Sequence, residues 1–570
     1  MDRITENLLK EFSTDQNLEA LAESKRFEHF AAYITVRRVL GQLFDTMDVV
    51  TGEGGDTGID GIAIIVNGFL VTDIEAFDEQ AADADNLDVQ FVFVQADRSP
   101  TFGVAKMGTF EFGVLDFFRE TPSLPRNDGV ANAAAIMTAI YAKSGKFKRE
   151  NPSCRLYYVT TGKWQADQAL EARRTATIAA LESTGLFGDI EYSCIGADGC
   201  QKLYNQTKNA IEREFSFVSR IEVPEIEGIE EAYLGYVPVS QFVPLVSDGE
   251  GEMLRSIFYD NVRDWQDYNA VNDEIRTTLK SPHANRFVLM NNGVTIIARG
   301  LRRTASKFLI EDYQIVNGCQ TSHVVFDNRK ELTDSVAIPL RLIVTQDEDV
   351  IESIIRSTNR QTEVKPEQFA AITDFAKKLE AFFETFPQGQ RLYYERRTGQ
   401  YDRYQVEKTR VVQLPTMVRT FAAMFLGEPH RTTRSYKSLK ERLGVDIYAA
   451  SHRLEPYYCA ALASYRLDVL FRSQRLEAKY KPARYHILLA ARLLMDPTQL
   501  PPMNSHEMEK RCARFADVLT DQSRADDLLI KAASIVDEVA GGDFHRDNIR
   551  TQPFTDNLIK KCAAHAAAAA

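Results

Sequence analysis

Two neighbouring stretches, GIDGIAIIVNGFLV at residues 58–71 and DVQFVFVQADRS at residues 88–99, decide the fold of the N-terminal part of this chain. The first contains two short apolar runs separated by Asn67-Gly68, a dipeptide typical of a two-residue hairpin turn. The second stretch is rich in large apolar residues that alternate along it, which favours a strand. Together the two stretches predict a β-hairpin followed by a further strand of the same domain.

Polar side chains lie at the ends of these predicted strands. Asp60 precedes the first strand and Gln95 closes the later one. If the strands are neighbours, the oxygen atoms of both side chains can converge on one Mg²⁺ ion, which requires oxygen ligands. Between Arg38 and Arg98 the chain has no Lys or Arg but many Asp and Glu residues. A solvated acidic loop is the alternative explanation, and it suits residues 78–88 better than Asp60.

The arrangement resembles that of the PD-(D/E)xK nucleases, in which a helical Glu, an Asp and a (Glu/Gln)-x-Lys strand form the site. The matching positions are Glu28, Asp60, Gln95 and Asp97. The resemblance implies that these four residues are catalytic and that Asp60, Gln95 and Asp97 bind Mg²⁺. An Asp stands where the nucleases have Lys, so position 97 cannot supply a cation, although a third carboxylate could strengthen metal binding. Lys106 is the candidate replacement for the missing cation.

Two turn motifs mark the central part of the chain. The first, Asn-Asn-Gly at residues 291–293, is predicted to join strands at residues 287–290 and 294–298. The second, Asn-Gly-Cys-Gln-Thr at residues 317–321, follows the apolar strand YQIV and precedes a helical pattern. A strand-to-helix turn with Gly and a hydroxyl residue can present backbone N–H groups to an anion. The alternative is that the amide side chains only satisfy backbone groups of the turns.

The central region carries the most distinctive sequence of the chain. Its motifs are IFYDNVRDW (257–265), FVLMNNGVTIIAR (287–299), YQIVNGCQTS (313–322) and STNRQTEV (357–364). In this order they resemble the motifs of the AIPR family, the abortive-infection phage-resistance proteins of bacteria. The resemblance covers most of the chain beyond about residue 230. It implies a role in antiphage defence.

Two further resemblances concern the nuclease-like region and the second turn. The N-terminal block resembles a nuclease-like region joined to some AIPR members, which read QAK where this chain has Gln95-Ala96-Asp97. The turn at residues 317–321 is similar to the DGQHR turn of DndB-type proteins and the ParB/sulfiredoxin-like fold. In those proteins the turn faces a nucleotide or a DNA phosphate, which implies the same ligand class here.

Turn chemistry and resemblance together single out a set of polar and basic residues as contacts for a nucleotide or nucleic acid. They are Asn291, Asn292, Asn317, Gly318, Gln320, Thr321, Asn359, Arg360, Gln361, Arg396 and Arg397. The last two belong to RLYYERRTGQYDRY (391–404), where Arg alternates with Tyr, as expected for binding of phosphates and unpaired bases. An ordinary amphipathic surface explains this segment nearly as well.

The order of predicted elements indicates an α/β multidomain protein. We expect a restriction-endonuclease-like α/β domain, a central mixed α/β domain, a mostly helical C-terminal domain and a low-complexity tail. Their predicted limits are 1–222, 230–365, 366–562 and 563–570. The acidic segment PEIEGIEEA (224–232) is the predicted linker between the first two domains.

Composition excludes several classes of protein. The 570-residue chain has no apolar run long enough to cross a membrane and no N-terminal signal pattern, so we expect a cytoplasmic protein. Its net charge of −13 argues against indiscriminate coating of nucleic acid. The sequence also lacks the Walker motif of P-loop nucleotide hydrolases.

We therefore expect a bacterial antiphage-defence protein that targets nucleic acid, with DNA favoured over RNA. Its mechanism would be Mg²⁺-dependent phosphodiester cleavage. The alternative is a non-catalytic sensor of a nucleotide or nucleic acid, or a scaffold, whose inactive nuclease-like domain binds a partner. In either case we expect a homo-oligomer or a partner protein from the same defence system.

Overall fold

The computed structural model describes the chain except residues 41–42, 53–54, 85, 148–150, 166, 209–210, 248–250, 252, 259–269, 359–373, 397–399, 402–405, 435 and 570. The described chain divides into two compact units. Unit 1 comprises Met1–Thr5 and Ala31–Val364, and unit 2 comprises Glu6–Phe30 and Lys365–Ala570. The fold class is mixed α/β with a helical C-terminal part, whereas the domain limits derived from the sequence stay a prediction.

Unit 1 contains a first sheet of five strands. They are β1 Gly61–Val66, β2 Phe69–Leu70, β3 Val89–Asp97, β4 Ser153–Thr160 and β5 Asp189–Ile195. The strand order is β2-β1-β3-β4-β5, with β1 antiparallel to β3 and with β3, β4 and β5 parallel. The turn between β1 and β2 confirms the predicted hairpin, because Asn67 and Gly68 have φ values of 50° and 83°. Positive φ at both positions is the signature of a type I′ turn.

Helices of the N-terminal part pack against this sheet or precede it. They are α1 Arg3–Asp15, α2 Glu23–Val39, α3 Ile74–Asp83, α4 Val104–Phe117, α5 Asp128–Ala142, α6 Gln168–Glu182 and α7 Ala197–Lys208. Asn127 begins α5 by accepting the N–H of Val130 at 3.0 Å, and Asp167 begins α6 by accepting the N–H of Leu170 at 2.9 Å. Such caps satisfy N–H groups that have no partner within the helix. Phe91 of β3 lies in the apolar core between the sheet and these helices.

Unit 1 also contains a second sheet of six strands. They are β6 Glu212–Ser216, β7 Ser219–Glu222, β8 Glu231–Pro238, β9 Val294–Thr304, β10 Lys307–Asn317 and β11 Ala337–Val344. The order is β6-β10-β9-β11-β8-β7, and only the β9–β11 pair is parallel among the described pairs of this sheet. Residues 224–232, predicted as an interdomain linker, connect β7 to its sheet neighbour β8. This segment is therefore a connection within one sheet.

The helices of this part are α8 Val239–Val246, α9 Ala270–Lys280, α10 Phe287–Met290, α11 Cys319–Asp327 and α12 Glu348–Thr358. The prediction of a strand at residues 287–290 is wrong, because these residues form the short helix α10. Asn291 donates its N–H to the carbonyl oxygen of Phe287 at 3.1 Å, which closes a helical turn. An apolar run of four residues carries no periodicity that separates a strand from a buried helical turn.

Unit 2 is mostly helical and has a two-stranded parallel sheet. The strands are β12 Tyr393–Glu395 and β13 Val411–Gln413. The helices are α13 Asp374–Glu384, α14 Leu414–Phe425, α15 Arg431–Arg434, α16 Tyr436–Lys440, α17 Glu455–Arg472, α18 Arg484–Met495, α19 His506–Thr520, α20 Gln522–Ala540, α21 Arg546–Ile549 and α22 Gln552–Ala569. The Nδ2 atom of Asn17 donates to Thr409 Oγ1 at 2.7 Å, which ties the N-terminal segment into this unit.

A buried histidine lies in the core of unit 2. His486 of α18 is 2% exposed, and neither of its ring nitrogens has a hydrogen-bond partner among the described residues. Its ring meets the ring of Phe554 edge-on at 5.2 Å. Burial lowers the pKa of His486 to about 3, and the positive charges of His430 and Arg550 act in the same direction. The imidazole is therefore neutral in the folded protein over the physiological range.

We predict that His486 makes the stability of the fold depend on acid. A histidine of the unfolded chain titrates near pH 6.5 (about 6.5 in peptides), so the stabilisation from neutral His486 is complete above that pH and is lost as the pH falls toward 3. Between pH 7.5 and 5, the native chain should lose about 2 kcal/mol of unfolding free energy that a His486→Phe variant retains. Urea denaturation at both pH values measures this difference. The exposed His283, replaced by Phe, is the matched control for the loss of one histidine. An equal acid sensitivity in His486→Phe and the native chain would contradict the account.

Candidate functional site

The carboxylate of Asp60 contacts the end of strand β3. Its Oδ2 atom accepts hydrogen bonds from Nε2 of Gln95 at 2.5 Å and from the backbone N–H of Ala96 at 2.7 Å. The backbone N–H of Asp60 donates to the carbonyl oxygen of Val94 at 2.9 Å, and Gly61 lies directly opposite Val94. The two side chains that the sequence placed at neighbouring strand ends thus touch each other.

The loop before Asp60 is fixed by hydrogen bonds to its own chain and to α5. Thr51 donates its Oγ1 hydrogen to the carbonyl oxygen of Ile59 at 2.6 Å. Asn127 donates through Nδ2 to the carbonyl oxygen of Thr51 at 2.9 Å and through its backbone N–H to that of Gly55 at 2.9 Å. The cap of α5 therefore also holds the loop that positions Asp60.

Two glycines let this loop approach helix α4 closely. A Cβ atom at Gly113 of α4 would lie 2.0 Å from the carbonyl oxygen of Thr57, far inside van der Waals contact. A Cβ atom at Gly58 would lie 2.8 Å from Cγ2 of Thr109, and Gly58 has a φ of 76°. Larger residues at either position would push the loop away from α4, and Asp60 would move with it.

Asp97 lies on the same face of β3 as Gln95, because side chains alternate along a strand. Its carboxylate accepts the N–H of Ser99 at 3.0 Å and lies beside the hydroxyl of Tyr158 on β4. Burial raises the pKa of Tyr158 to about 12; a hydrogen bond from the N–H of Gly103 opposes this rise, and the charge of Asp97 adds to it. Tyr158 is therefore a protonated hydroxyl next to a carboxylate at neutral pH.

The two remaining residues of the predicted nuclease site lie on helices. Lys106 is an exposed residue in the first turn of α4. Glu28 lies on α2, where its Oε2 pairs with Nζ of Lys25 at 2.7 Å. Glu28 belongs to unit 2, whereas Asp60, Gln95, Asp97 and Lys106 belong to unit 1.

The oxygen atoms around Asp60 fit a divalent cation with oxygen ligands. Nε2 of Gln95 lies 2.5 Å from Asp60 Oδ2 and 3.4 Å from the carbonyl oxygen of Ala96, so two oxygen atoms converge on it. Rotation of the Gln95 amide by half a turn would put Oε1 in the place of Nε2. Oε1 would then lie close to Asp60 Oδ2 and to the carbonyl oxygen of Ala96, and a cation between the three oxygen atoms would offset their mutual repulsion. Within the described residues, no group of three or more His, Cys, Asp or Glu side chains could hold a metal. The candidate ligand set is therefore one carboxylate, one amide and one backbone carbonyl.

The two central turn motifs meet at one edge of the second sheet. Nδ2 of Asn291 lies 3.1 Å from Oγ1 of Thr321, and that hydroxyl lies 3.2 Å from Oδ1 of Asn291. Oδ1 also accepts the N–H of Gly293 at 2.8 Å. The motifs come together because β9 begins at Val294 and its antiparallel partner β10 ends at Asn317.

Glycines permit the close approach of these two turns. Gly293 and Gly318 have φ values of 80° and 92°, and a Cβ atom at Gly318 would lie 2.7 Å from the carbonyl oxygen of Gly293. Gly318 precedes α11 without a side-chain cap, so the first N–H groups of that helix face the turns. Asn292 is exposed, whereas Asn317 and Gln320 are half-buried. The arrangement offers N–H donors and amides at one point of the surface.

Other predicted nucleic-acid contacts are less accessible. Arg396 is 7% exposed, and its Nε donates to Glu380 Oε2 at 2.5 Å. Tyr394 and Tyr401 lie in the core of unit 2, so the hypothesis that they stack on unpaired bases is wrong for these two residues. Asn359, Arg360, Gln361 and Arg397 lie outside the described residues.

The sequence did not point to Tyr158, although this residue contacts the candidate site. The parallel register of β3 and β4 places Tyr158 opposite Gln95 and Thr160 opposite Asp97. The apolar run at residues 156–159 favours a strand, but such a run does not reveal the sheet neighbour of that strand. Parallel neighbours are joined by a long crossover, so their register cannot be read from the connection.

Comparison with known proteins finds a family model that is similar to the central and C-terminal part of the chain. A family model described as AIPR protein matches residues 258–529, which include both turn motifs and much of the helical part. The match supports the resemblance to the AIPR family that the sequence motifs indicate. Among curated proteins and among solved structures, no match to this chain is found. Among the described residues, no helix has both the length and the apolar character that a membrane span requires.

We predict that Gly113→Ala disturbs the Asp60 loop. The added Cβ atom would lie 2.0 Å from the carbonyl oxygen of Thr57, so the substitution should lower the unfolding free energy by about 1–3 kcal/mol. Thermal and urea unfolding measure the loss. Gly145→Ala is the matched control, because a Cβ atom at Gly145 meets nothing within 4 Å. If both variants are equally stable, the close packing of the loop against α4 does not hold Asp60.

Proposed function

We propose that this protein, with its AIPR match over residues 258–529, is a bacterial antiphage-defence protein that cleaves phosphodiester bonds of nucleic acid. The family match supports the defence role. The element order of the first sheet supports a restriction-endonuclease-like domain: the hairpin strand β1 is antiparallel to β3, and β3 is parallel to β4. We propose the sheet end that carries Asp60 and Gln95 as the cleavage site.

The contact between Asp60 and Gln95 is the observation that carries this proposal. The two residues are 35 positions apart in the chain, and their side chains meet at 2.5 Å at the ends of paired strands. The backbone N–H of Ala96 holds the same carboxylate oxygen at 2.7 Å. A carboxylate oxygen and an amide oxygen are both ligand types that Mg²⁺ takes, and here they are carried by adjoining strand ends.

The residues of this site have separate roles in the proposed cleavage. Asp60, Gln95 and the carbonyl oxygen of Ala96 would bind Mg²⁺, which supplies an activated water and neutralises charge on the phosphate. Asp97 is held by the N–H of Ser99 at 3.0 Å and lies beside Tyr158. Its negative carboxylate cannot stabilise the negative phosphate. Lys106, exposed at the start of the next helix, is the candidate for that stabilising charge.

We predict Mg²⁺-dependent cleavage that requires Asp60. Asp60→Ala should lower the rate of DNA cleavage about a hundredfold or more, because the only carboxylate of the proposed ligand set is lost. Asp97→Lys should raise the rate, since a cation then stands beside the scissile phosphate. Plasmid and oligonucleotide cleavage with Mg²⁺ or with a chelator measures both effects.

Asp517→Ala is the control for the loss of one acidic residue, because Asp517 is exposed in unit 2. It should cleave like the native chain. If native protein, Asp97→Lys and Asp60→Ala all cleave DNA and RNA no faster than buffer, the protein does not cleave nucleic acid at this site.

A second candidate function is binding of a nucleotide by the central turns. It is favoured by the convergence of Asn291, Thr321 and the N-terminal end of α11, with Asn292 exposed beside them. In this function the protein senses a nucleotide or nucleic acid, and the nuclease-like domain binds a partner. The mutual hydrogen bonds of Asn291 and Thr321 would then open to accept the ligand.

We predict that nucleotide binding raises the melting temperature of the native chain with increasing ligand concentration. A ligand at a hundred times its dissociation constant contributes about 2.7 kcal/mol of stability. Asn317→Ala should abolish the shift, because Asn317 begins the turn that leads into α11. Differential scanning fluorimetry with a panel of nucleotides measures this shift in melting temperature. Asn285→Ala, an exposed residue outside both turns, is the control. Equal shifts in the Asn317 variant and the control would contradict the turn as the site.

A further inference from the structure

The loops that follow β3, β4 and β5 form one connected surface at the same sheet edge as Asp97. Oγ1 of Thr161 donates to the carbonyl oxygen of Arg98 at 2.9 Å, which joins the first two loops. The N–H of Ala197 donates to the carbonyl oxygen of Gly162 at 2.9 Å, which joins the second and third loops. A Cβ atom at Gly162 would lie 2.3 Å from the carbonyl oxygen of Pro100, so these loops are in tight contact.

Two half-buried aromatic rings stand on this surface. The rings of Phe102 and Trp164 meet edge-on, with centroids 4.9 Å apart and an interplanar angle of 83°. The ring of Phe102 also lies edge-on to the ring of Tyr158, with centroids 5.3 Å apart and an interplanar angle of 90°. The hydroxyl of Tyr158 lies beside Asp97. The ring contacts from Trp164 through Phe102 to Tyr158 therefore connect this surface with the proposed cleavage site.

Two exposed lysines, Lys163 and Lys106, lie close to these aromatic residues in the chain. Lys163 precedes Trp164 in the chain and has a side chain that is 76% exposed. Its contact with Asp198 spans 3.9 Å between two exposed groups, a distance at which water and salt screen the attraction strongly. Lys106 is exposed at the start of α4, after the loop that carries Phe102. Exposed ammonium groups next to aromatic rings suit a ligand that combines phosphates with flat bases.

We propose that Phe102 and Trp164 form a stacking site for an unpaired base of the nucleic acid that is cut at Asp60 and Gln95. This inference rests on the proposed function and narrows its substrate class. A base can stack on a protein ring only when it is unstacked from its neighbours, as in a single strand, a gap or a flap. The protein therefore prefers nucleic acid with unpaired bases to continuous duplex.

The intrinsic fluorescence of Trp164 tests this inference. The chain has two tryptophans, Trp164 and Trp265, so Trp265→Phe leaves Trp164 as the only reporter. The full chain is titrated in Ca²⁺ with a single-stranded DNA oligonucleotide of about twelve nucleotides, and with the duplex of the same sequence. We expect saturable quenching by the single strand at a concentration at least tenfold lower than by the duplex. Absence of quenching, or equal quenching by both forms, would overturn the stacking site.

Substitutions at the two rings provide the second measurement, with binding followed by anisotropy of a labelled single strand. Phe102→Leu and Trp164→Leu should each weaken binding about tenfold to a hundredfold, whereas Trp164→Tyr should keep most of the affinity. Phe147→Leu is the matched control, because Phe147 is also half-buried and edge-on to a tyrosine, at 5.9 Å from Tyr141. Unchanged affinity in both ring variants would overturn the proposal, as would a loss of the same size in Phe147→Leu.

The same proteins separate this inference from the proposed cleavage. Quenching of Trp164 without Mg²⁺-dependent cleavage would refute the cleavage and leave the stacking site standing. Cleavage that depends on Asp60 but proceeds equally on single strand and duplex, without quenching, would refute the stacking site alone.

Discussion

The antiparallel register of β1 against β3 is the constraint on which the candidate site depends. Gly61 lies opposite Val94, so Asp60 falls beside Gln95 and Ala96. A slip of one residue would turn every side chain of β1 to the other face of the sheet. Asn67 supports this register at the other end of the strand pair, because its N–H donates to the carbonyl oxygen of Asp88 at 2.8 Å and its Oδ1 accepts the N–H of Asp88 at 2.8 Å. The residues of β1 and β3, most of them apolar, are buried throughout both strands up to Gln95.

The loop before Asp60 adds a second constraint, because the register alone does not fix the direction of the carboxylate. Helix α5 holds the loop through Asn127, and Gly113 of α4 leaves room for the carbonyl oxygen of Thr57. Both helices also contribute to the apolar core beneath the sheet. The polar geometry at the strand ends is thus supported by the same packing that stabilises unit 1.

Local signals in the sequence were sufficient to predict the hairpin, strand β3 and the meeting of Asp60 with Gln95. Each depends on residues close together in the chain or on one antiparallel pairing. Tyr158 was not predictable, because the parallel pairing of β3 with β4 passes through α4 and α5. Glu28 lies on α2, whose residues are divided between the two units, and a motif of residue types does not reveal that division.

The central turns show a different limit of sequence-based prediction. The glycines at 293 and 318 were placed correctly in turns, since both residues have positive φ. The sequence did not show that Asn291 and Thr321 would bond to each other across paired strands. This mutual bonding holds the two turns together. Arg396 was predicted to contact nucleic acid because it lies in a segment rich in Arg and Tyr. Its side chain instead bonds to Glu380, which lies on a helix earlier in the chain.

A direct measurement of the cation site would test the central claim of this account. Crystals of the full chain grown or soaked with Mn²⁺, an anomalous scatterer that takes oxygen ligands, would locate the ion without any assumption about substrate. The account predicts an anomalous peak about 2.0–2.3 Å from Oδ2 of Asp60, with the amide of Gln95 turned to present Oε1. Crystals that bind Mn²⁺ elsewhere, or not at all, with Nε2 of Gln95 still on the Asp60 carboxylate would contradict it.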